Sequence, residues 1–216
     1  PLGYYHPASP CAEVFRAAQS TGRATRVGLV GLGIGSMSHY SRPGDRYEFF
    51  ELDPVVIEIA KTRFTELSSA EGDMTVTAGD GRQLLEARDD GAFDMLVIDA
   101  FSSDAIPAHL LTTEAFQLYL RKLAPNGLLL LHTSNQFLDV DHVAVGGLRE
   151  AGWKHLHKRF SPNDKQQADG AFPSSWIVAA PSEPALEPIR SDTSWQTLRS
   201  ELVWTDEYSS LIRALR

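Results

Sequence analysis

Short aliphatic and β-branched runs alternate along the chain with longer segments in which apolar residues recur with the helical period. The short runs predict β-strands, and the longer segments predict α-helices. The first five runs are apolar at nearly every position, which is typical of parallel strands that are covered on both faces. Strict alternation of strand and helix predicts a doubly wound α/β sheet. The predicted strands are 26–33, 47–53, 74–78, 93–100, 127–133 and 176–180, with a less regular one at 154–160, and the predicted helices are 54–69, 81–87, 113–123 and 140–151.

The segments outside this alternation differ in composition. Residues 161–173 are polar and contain glycine and proline, which predicts a loop that can close over a site. Residues 181–188 are rich in proline and predict a linker, while residues 194–216 predict one or two terminal helices. The chain therefore divides into an N-terminal segment at 1–25, a Rossmann-like domain at 26–181, and a linker with a helical tail at 182–216.

Composition and charge narrow the classes of function. With 43% hydrophobic and 22% charged residues, the chain of 216 residues has the composition of a globular protein rather than a disordered one. Its 20 Lys and Arg against 28 Asp and Glu give a formal net charge of −8, which argues against a nucleic-acid binder and suits a small cationic substrate. No apolar run approaches the roughly 18 residues of a membrane-spanning helix, and no signal-peptide pattern is present. We therefore expect a soluble, cytoplasmic chain.

Three glycines, Gly31, Gly33 and Gly35, follow the first predicted strand directly and precede a predicted helix. Glycine allows the backbone to turn sharply and to approach a ligand closely. Two acidic residues, Glu51 and Asp53, follow Gly31 by 20 and 22 positions, at the end of the second strand. A carboxylate there can accept hydrogen bonds from both hydroxyls of a ribose. The spacing therefore predicts a site for a nucleotide-type cofactor.

The glycine spacing also bears on which cofactor binds. The dinucleotide fingerprint requires glycine at the position of Ser36. The tighter Gly-x-Gly-x-Gly spacing instead resembles the first motif of class I S-adenosylmethionine-dependent transferases. Asp80, followed by Gly81, ends the third strand, where that superfamily pairs an acidic residue with the adenine amino group. The alternative for this Asp-Gly pair is a simple turn.

Two aspartates, Asp99 and Asp104, follow the fourth strand. Ligands of open α/β sheets bind outside the carboxyl ends of the strands. A carboxylate there suits an amine substrate, because it holds the ammonium form and can take a proton as the amine attacks an electrophilic carbon. A charged residue at the end of an apolar strand is costly to bury, which favours a functional role for Asp99. For Asp104 a helix cap or turn is an equal alternative.

Other conspicuous residues have structural interpretations. His155 and His157 lack a third ligand at a metal-site spacing, and alternation along a strand explains them, so we predict no metal site. His132 ends the fifth strand near the expected rim of the site. We expect Trp195 and Trp204 to dock the C-terminal tail against the core.

The quoted motifs resemble the spermidine synthase family, the polyamine aminopropyltransferases. Besides the glycine loop, the resemblance rests on FFELDPVVIEIAK at 49–61 and on TVTAGDGRQLLEARDDGAFDMLVIDAFSSD at 75–104, and it covers residues 26–135. Two further segments, at 99–116 and 203–216, are similar to spermidine-synthase-like domains that are often fused behind a membrane-embedded region. The resemblance thus implies a longer parent protein with a membrane region, which suits a chain that begins with Pro1 rather than Met. A homodimer is also expected.

On the cofactor side, the resemblance implies that Glu51 binds the ribose hydroxyls and that Asp80, with the backbone of Gly81, binds the adenine. The co-substrate would be decarboxylated S-adenosylmethionine or S-adenosylmethionine itself. Residues 26–181 would form the catalytic domain of the class I transferase type. Residues 1–25 would be the remnant of a substrate-side subdomain.

On the substrate side, the resemblance implies that Asp99 is the general base that deprotonates the attacking amine. Asp104 would hold an amino group of the substrate or of the aminopropyl arm. Tyr5 and His6 would lie near the amine pocket. The chain departs from the family where an aspartate of the glycine loop holds the amino group of decarboxylated S-adenosylmethionine, because this chain has Ile34 there. Its two aspartates after strand four are also more widely spaced.

Three functions remain open on these residues. The first is transfer of an aminopropyl group from decarboxylated S-adenosylmethionine to a polyamine acceptor. The second, which Ile34 supports, is a methyltransferase or another transferase that uses S-adenosylmethionine. The third is a non-catalytic domain that binds a nucleoside or a polyamine.

Overall fold

The computed structural model describes residues 1–100 and 107–215 of the chain. Its strands are β1 (Arg26–Val30), β2 (Arg46–Glu51), β3 (Asp73–Ala78), β4 (Phe93–Ile98), β5 (Leu123–His132), β6 (Lys154–Phe160) and β7 (Ser174–Ala180). They form one sheet in the order β3-β2-β1-β4-β5-β7-β6. The first five strands pair in parallel, and β7 runs antiparallel to both β5 and β6. The predicted doubly wound, mostly parallel sheet is confirmed.

Helices cover both faces of this sheet. They are α1 (Pro10–Ala18), α2 (Pro54–Arg63), α3 (Gly81–Glu86), α4 (Thr113–Lys122), α5 (Val140–Glu150), α6 (Asp164–Ala168) and α7 (Glu183–Arg190). Helices α1, α2 and α7 contribute to the apolar core on one face, and α3, α4 and α5 contribute to the core on the other. Within residues 1–100 and 107–215, no helix combines the length and the hydrophobicity needed to cross a lipid bilayer.

Successive residues of the central strands point to opposite faces and so build two separate apolar cores. In β5, Leu129 and Leu131 belong to the core beneath α4 and α5, whereas Leu128 and Leu130 belong to the core beneath α1 and α7. All four side chains are buried. Because such a strand serves both cores, its sequence is apolar at every position instead of alternating.

The prediction of a linker at 181–188 is wrong, because this segment belongs to α7. Pro184 lies in the first turn of the helix, where the missing N–H group breaks no intrahelical hydrogen bond. Leu186 and Ile189 are buried against the sheet. The helix therefore forms because its apolar positions pack, despite its proline content.

The prediction of a helical C-terminal tail is also wrong. Among the described residues after α7, regular helix is limited to a 3-10 turn at Ile212–Ala214. Trp195 and Trp204 are buried as expected, but in the cores on opposite faces of the sheet. Between these two tryptophans in the sequence, Gln196 lies at the edge of the sheet, where it exchanges backbone hydrogen bonds of 2.8 and 2.9 Å with His157 of the edge strand β6. A segment that rounds the sheet edge in this way cannot keep the helical period.

Several boundaries differ from the sequence prediction. The glycine loop leads into a short 3-10 helix at Ser36–Tyr40 rather than an α-helix. Helix α2 ends at Arg63, before the predicted 69, and Leu67 folds back to pack in the core beneath α1. The predicted loop 161–173 contains α6, which Asn163 and Gln166 begin with a reciprocal capping box.

Gly31, directly after β1, packs against the backbone of Asp99, directly after β4, and this contact can be tested. A Cβ atom at Gly31, where φ is +99°, would lie 2.2 Å from the carbonyl oxygen of Asp99. At Gly33, where φ is +54°, a Cβ atom would meet nothing within 4 Å. We expect Gly31→Ala to lower the free energy of unfolding by at least about 2 kcal/mol and Gly33→Ala by about 1 kcal/mol. Urea unfolding of both variants measures the difference, and equal losses would contradict the steric explanation.

Candidate functional site

A cavity of about 510 Å³ opens at the carboxyl ends of β1, β2 and β4. This is the edge where ligands of open α/β sheets bind. The described residues that line it are Tyr4, Tyr5, Val30, Gly31, Leu32, Gly33, Phe50, Glu51, Leu52, Asp53, Val56, Asp80, Gly81, Asp99, Ala100, Pro107, His109, Leu110 and His132. Most residues predicted for the site from sequence therefore meet in one cavity.

The glycine loop forms the floor of this cavity. The backbone N–H of Gly31 donates to the carbonyl of Phe50 at 2.8 Å, and that of Asp99 donates to the carbonyl of Val30 at 2.8 Å. These two bonds extend the strand pairing of β1 with β2 and with β4 by one residue. Gly31 and Gly33 line the cavity. Gly35 lies outside the lining and packs beside Leu67.

The carboxylate of Glu51 is fixed where the loop and β2 meet. Its Oε2 accepts a hydrogen bond of 2.9 Å from the backbone N–H of Leu32, and its Oε1 accepts one of 2.9 Å from that of Asp53. Each carboxylate oxygen can accept a further hydrogen bond. Asp53 also lines the cavity, while its Oδ1 caps α2 by accepting from the N–H of Val55 at 2.8 Å. The carboxylate of Glu51 is thus fixed in orientation with acceptor capacity left over, and Asp53 also caps α2.

Asp80 has two partners at the start of α3. Its Oδ1 accepts from the backbone N–H of Gln83 at 3.0 Å, and its Oδ2 lies 3.1 Å from Nε2 of His109. Gly81 is buried against β1, because a Cβ atom there would lie 2.4 Å from a methyl carbon of Val30. The sequence did not indicate His109, since its position beside Asp80 depends on folding of the segment before α4.

The other end of the cavity is built around Asp99. Its side chain is 12% exposed. The hydroxyl of Tyr5 donates to Oδ2 at 2.6 Å, and Nδ1 of His132 lies 2.7 Å from Oδ1. The far nitrogen of His132, Nε2, lies 2.8 Å from Oγ of Ser134. Both oxygens of the predicted base are therefore held by side chains of the protein.

The hydroxyl of Tyr5 stays protonated in this setting. Burial raises its pKa well above the usual value, and the charge of Asp99 and the hydrogen bond to it raise the pKa further. Tyr5 therefore acts as a donor to Asp99 across the physiological pH range. Cys11 nearby is fully buried, and burial followed by the charge of Asp99 raises the pKa of its thiol.

Aromatic rings surround Asp99 on the side away from the glycine loop. The ring of His132 stacks on that of Trp176, with 4.3 Å between centroids and 15° between planes. Tyr4 lies 4.8 Å from His132 on a tilted plane and 5.7 Å from the exposed ring of Phe172. Aromatic faces attract cations. This wall was not predicted from the sequence, because it joins the N-terminus, β5 and β7.

Two further residues named from the sequence, His6 and Ile34, lie outside the cavity lining, and Asp104 is outside the described residues. His6 does not line the cavity, and its Nδ1 accepts a hydrogen bond of 3.1 Å from the backbone N–H of Ala8. Ile34 is 39% exposed and is also outside the cavity lining. The roles assigned from the sequence to these residues, and to those that line the cavity, remain predictions.

Sequence comparison bears on this arrangement. Residues 34–145, slightly more than half of the chain, match the family described as the spermine/spermidine synthase domain. The chain belongs to the spermine/spermidine synthase family. The resemblance stated from the motifs is therefore confirmed at the level of the family.

Two relatives in the comparison differ in reaction. The polyamine aminopropyltransferase of Vibrio vulnificus (strain CMCP6) is 30% identical over 194 residues, which are 87% of this chain and 62% of that protein. The eEF1A lysine and N-terminal methyltransferase of Danio rerio is 33% identical over 116 residues, which are 48% of this chain and 16% of that protein. This member of the spermidine synthase family thus spans less than two thirds of either relative.

Solved structures establish the fold. A probable spermidine synthase from Corynebacterium glutamicum superposes with a TM-score of 0.61 at 19% identity, over 93% of this chain and 80% of that one. Human methyltransferase-like protein 13, solved in complex with SAH, superposes with a TM-score of 0.60 at 20% identity, over 92% of this chain and 94% of that one. The sheet is that of class I S-adenosylmethionine-dependent transferases, as the glycine spacing predicted.

A second polar cluster lies behind the aromatic wall of this family member. Asp141, in the first turn of α5, is fully buried. Ser175 donates to its Oδ1 at 2.8 Å, Arg159 donates to its Oδ2 at 2.8 Å, and Thr133 donates through its hydroxyl. Nε2 of His157 lies 3.3 Å from Oδ2. Among the described residues, no group of three or more His, Cys, Asp or Glu side chains is arranged to hold a metal ion.

Asp141 makes a testable contribution to stability. Burial raises the pKa of its carboxyl, but the hydrogen bond and charge of His157, with hydrogen bonds from Thr133 and Arg159, outweigh burial and hold the pKa well below its usual range. A depressed pKa in the folded state stabilises the fold above the unfolded-state value of about 3.9, and this stabilisation is lost as the pH falls toward the folded-state value.

We therefore expect Asp141→Asn to lower the free energy of unfolding at pH 7 by on the order of 2 kcal/mol. The difference from wild type should shrink as the pH falls below about 4. Urea unfolding between pH 3 and pH 8 measures both effects. Asp94→Asn is the control, because Asp94 pairs with Arg26 at 2.8 Å on the exposed surface and should change stability by less than about 1 kcal/mol. A pH-independent effect at Asp141 would contradict the linkage.

Proposed function

We propose that this chain is a transferase that moves an aminopropyl group from decarboxylated S-adenosylmethionine to a small amine. The charge of the cavity carries the proposal. Of the described residues that line it, four are carboxylates and none is lysine or arginine. Such a lining favours ligands that carry positive but no negative groups, because low-dielectric walls focus the field of the carboxylates. A sulfonium co-substrate without a carboxylate and an ammonium acceptor both fit that requirement.

The two ends of the cavity have different tasks in this mechanism. Glu51 accepts the ribose hydroxyls through the acceptor capacity that its backbone contacts leave. Asp80 accepts the adenine amino group beside its contact with His109. Asp99 and the aromatic wall receive the acceptor amine as an ammonium ion, through charge and through the ring faces.

Asp99 begins the chemistry by accepting one proton from the bound ammonium. The neutral nitrogen then forms a bond to the aminopropyl carbon next to sulfur, as the carbon–sulfur bond breaks and its electron pair passes to sulfur. The products are methylthioadenosine and an aminopropylated amine, which carries the remaining positive charge. Much of the acceleration comes from positioning, since the sulfonium already supplies a good leaving group.

Replacement of Asp99 tests the proposed base. We expect Asp99→Asn to lower kcat for aminopropyl transfer by on the order of 100-fold or more, because an amide does not accept the ammonium proton. The measurement is methylthioadenosine formation from decarboxylated S-adenosylmethionine with putrescine, spermidine and a panel of other diamines. Asp94→Asn is the matched control, because Asp94 belongs to the same strand but lies at the end remote from the cavity. Unchanged turnover by Asp99→Asn would reject the assigned base.

The second candidate is a transferase that uses S-adenosylmethionine itself, for example for methyl transfer. Ile34 favours it, because the family's ammonium-binding aspartate is missing at that position of the loop. The similarity to a methyltransferase of Danio rerio supports it as well.

Titration calorimetry with the two co-substrates separates these candidates. We expect a preference of about tenfold or more for the decarboxylated form, which corresponds to roughly 1.4 kcal/mol. Glu51→Gln should weaken both ligands by a similar factor and leave the ratio unchanged, because the ribose is common to both. A preference for the carboxylated form would favour the second candidate. Binding of neither would favour a non-catalytic role.

The remaining partner assignments stay predictions. They are a second copy of the chain, a membrane region in a longer parent protein, a cytoplasmic location, and a contact between Asp104 and an amino group.

A further inference from the structure

We propose that His132 is a positioning residue for the base Asp99, with its Nδ1–H donating to the carboxylate and the hydroxyl of Ser134 donating to its Nε2. The inference rests on the proposed function for its catalytic consequence. Its structural content, the position of one proton, is independent of which reaction the cavity performs.

The carboxylate of Asp99 assigns the tautomer. An ionised carboxylate can only accept hydrogen bonds, so Nδ1 of His132, which lies 2.7 Å from Oδ1 of Asp99, carries a proton and donates to it. In the corresponding tautomer Nε2 is an acceptor, and the hydroxyl of Ser134, 2.8 Å away, donates to it. The backbone N–H of Ser175 donates to Oγ of Ser134 at 2.9 Å and so helps to hold this hydroxyl in place.

The ring of His132 is also fixed in orientation. Its backbone pairs with that of Trp176 across β5 and β7, and the two rings stack at 4.3 Å. Trp176 is fully buried, and Tyr4 contacts the histidine ring at a centroid distance of 4.8 Å. Rotation of the imidazole away from Asp99 would break both ring contacts. The geometry of the Nδ1–H donor therefore follows from the strand register.

The second polar cluster anchors the far end of this chain of contacts. The hydroxyl of Ser175 donates to the buried carboxylate of Asp141 at 2.8 Å, and Nε2 of His157 lies 2.9 Å from the same hydroxyl. Ser175 therefore keeps its backbone N–H directed at Ser134. Among the described residues, the titratable and charged groups that face these hydrogen-bonded side chains are Tyr4, Tyr5, Cys11, Asp99, Asp141, His157 and Arg159.

These contacts determine how the carboxylate of Asp99 is oriented toward a substrate. With Tyr5 on Oδ2 and His132 on Oδ1, the carboxylate is held in one orientation, and its remaining acceptor capacity serves the substrate. The hydrogen-bonded series of Asp99, His132 and Ser134 resembles the arrangement of a serine nucleophile with its histidine base. Ser134 is not among the described residues that line the cavity, however, so its hydroxyl serves the histidine rather than a substrate.

Kinetics of three variants test the positioning role. We expect His132→Ala to lower kcat by on the order of 100-fold, with the KM for the sulfonium co-substrate unchanged, and to displace the acid limb of the pH–rate profile. His132→Asn should recover much of the loss, because its amide N–H can still donate to Asp99. His39→Asn is the control, because His39 is exposed and outside the cavity lining. A His132→Ala enzyme with wild-type kcat and pH profile would overturn the proposal.

Nitrogen-15 NMR of histidine-labelled protein tests the tautomer without turnover. We expect the His132 signals to show a protonated Nδ1 and an unprotonated Nε2 at pH 7.5. In Ser134→Ala this preference should weaken, and assignment comes from the spectrum of His132→Asn. A protonated Nε2 in the wild-type protein would overturn the proposal even in an active enzyme. If no amine is turned over by the wild type, the proposed function fails, and the NMR result alone decides the position of the proton.

Discussion

The close approach of β1 and β4 at their carboxyl ends is the constraint on which the site depends. Because Gly31 has no side chain, the carbonyl oxygen of Asp99 can lie only 2.2 Å from where a Cβ atom would be. The loop proposed to hold a nucleoside and the carboxylate proposed to face an amine are therefore neighbours in space, although they lie far apart in the chain. Catalysis by positioning requires this adjacency, because the two reacting atoms must meet at bonding distance.

The parallel strands and the N-terminal segment supply the lining of the cavity. The parallel strands end in the glycine loop, Glu51 and Asp80, which is the arrangement common to folds that bind nucleosides. The antiparallel strand β7 returns beside β5 and brings Trp176 against His132. Trp176 is fully buried and does not line the cavity, so β7 supports the histidine from behind. The rings that line the cavity near Asp99 belong to Tyr4, Tyr5 and His132.

Local pattern was enough to predict the strands, the helices α3 to α5, and the carboxylates at strand ends, since each depends on neighbours in sequence. The interactions of His132 and His109 were not predictable, because they require knowledge of which strands and loops become neighbours. The prediction of a helical C-terminal tail failed for a related reason. Trp195 and Trp204 have near-helical spacing, yet they enter cores on opposite faces of the sheet. Prediction of a helix from periodicity assumes that the segment buries one face against one core. A segment that passes around the edge of the sheet packs against both cores.

The replacement of an acidic residue by Ile34 has different consequences for attraction and for orientation. Attraction of a cation into the cavity depends on the summed field of its carboxylates, which falls off slowly in a low-dielectric environment. Orientation of an ammonium group depends on short, directional hydrogen bonds, which act over one contact distance. Under the proposed function, Ile34 therefore weakens the placement of the aminopropyl arm more than the binding of a cationic ligand. Alignment in that mechanism then depends on the acceptor side, where Tyr5 and His132 hold Asp99.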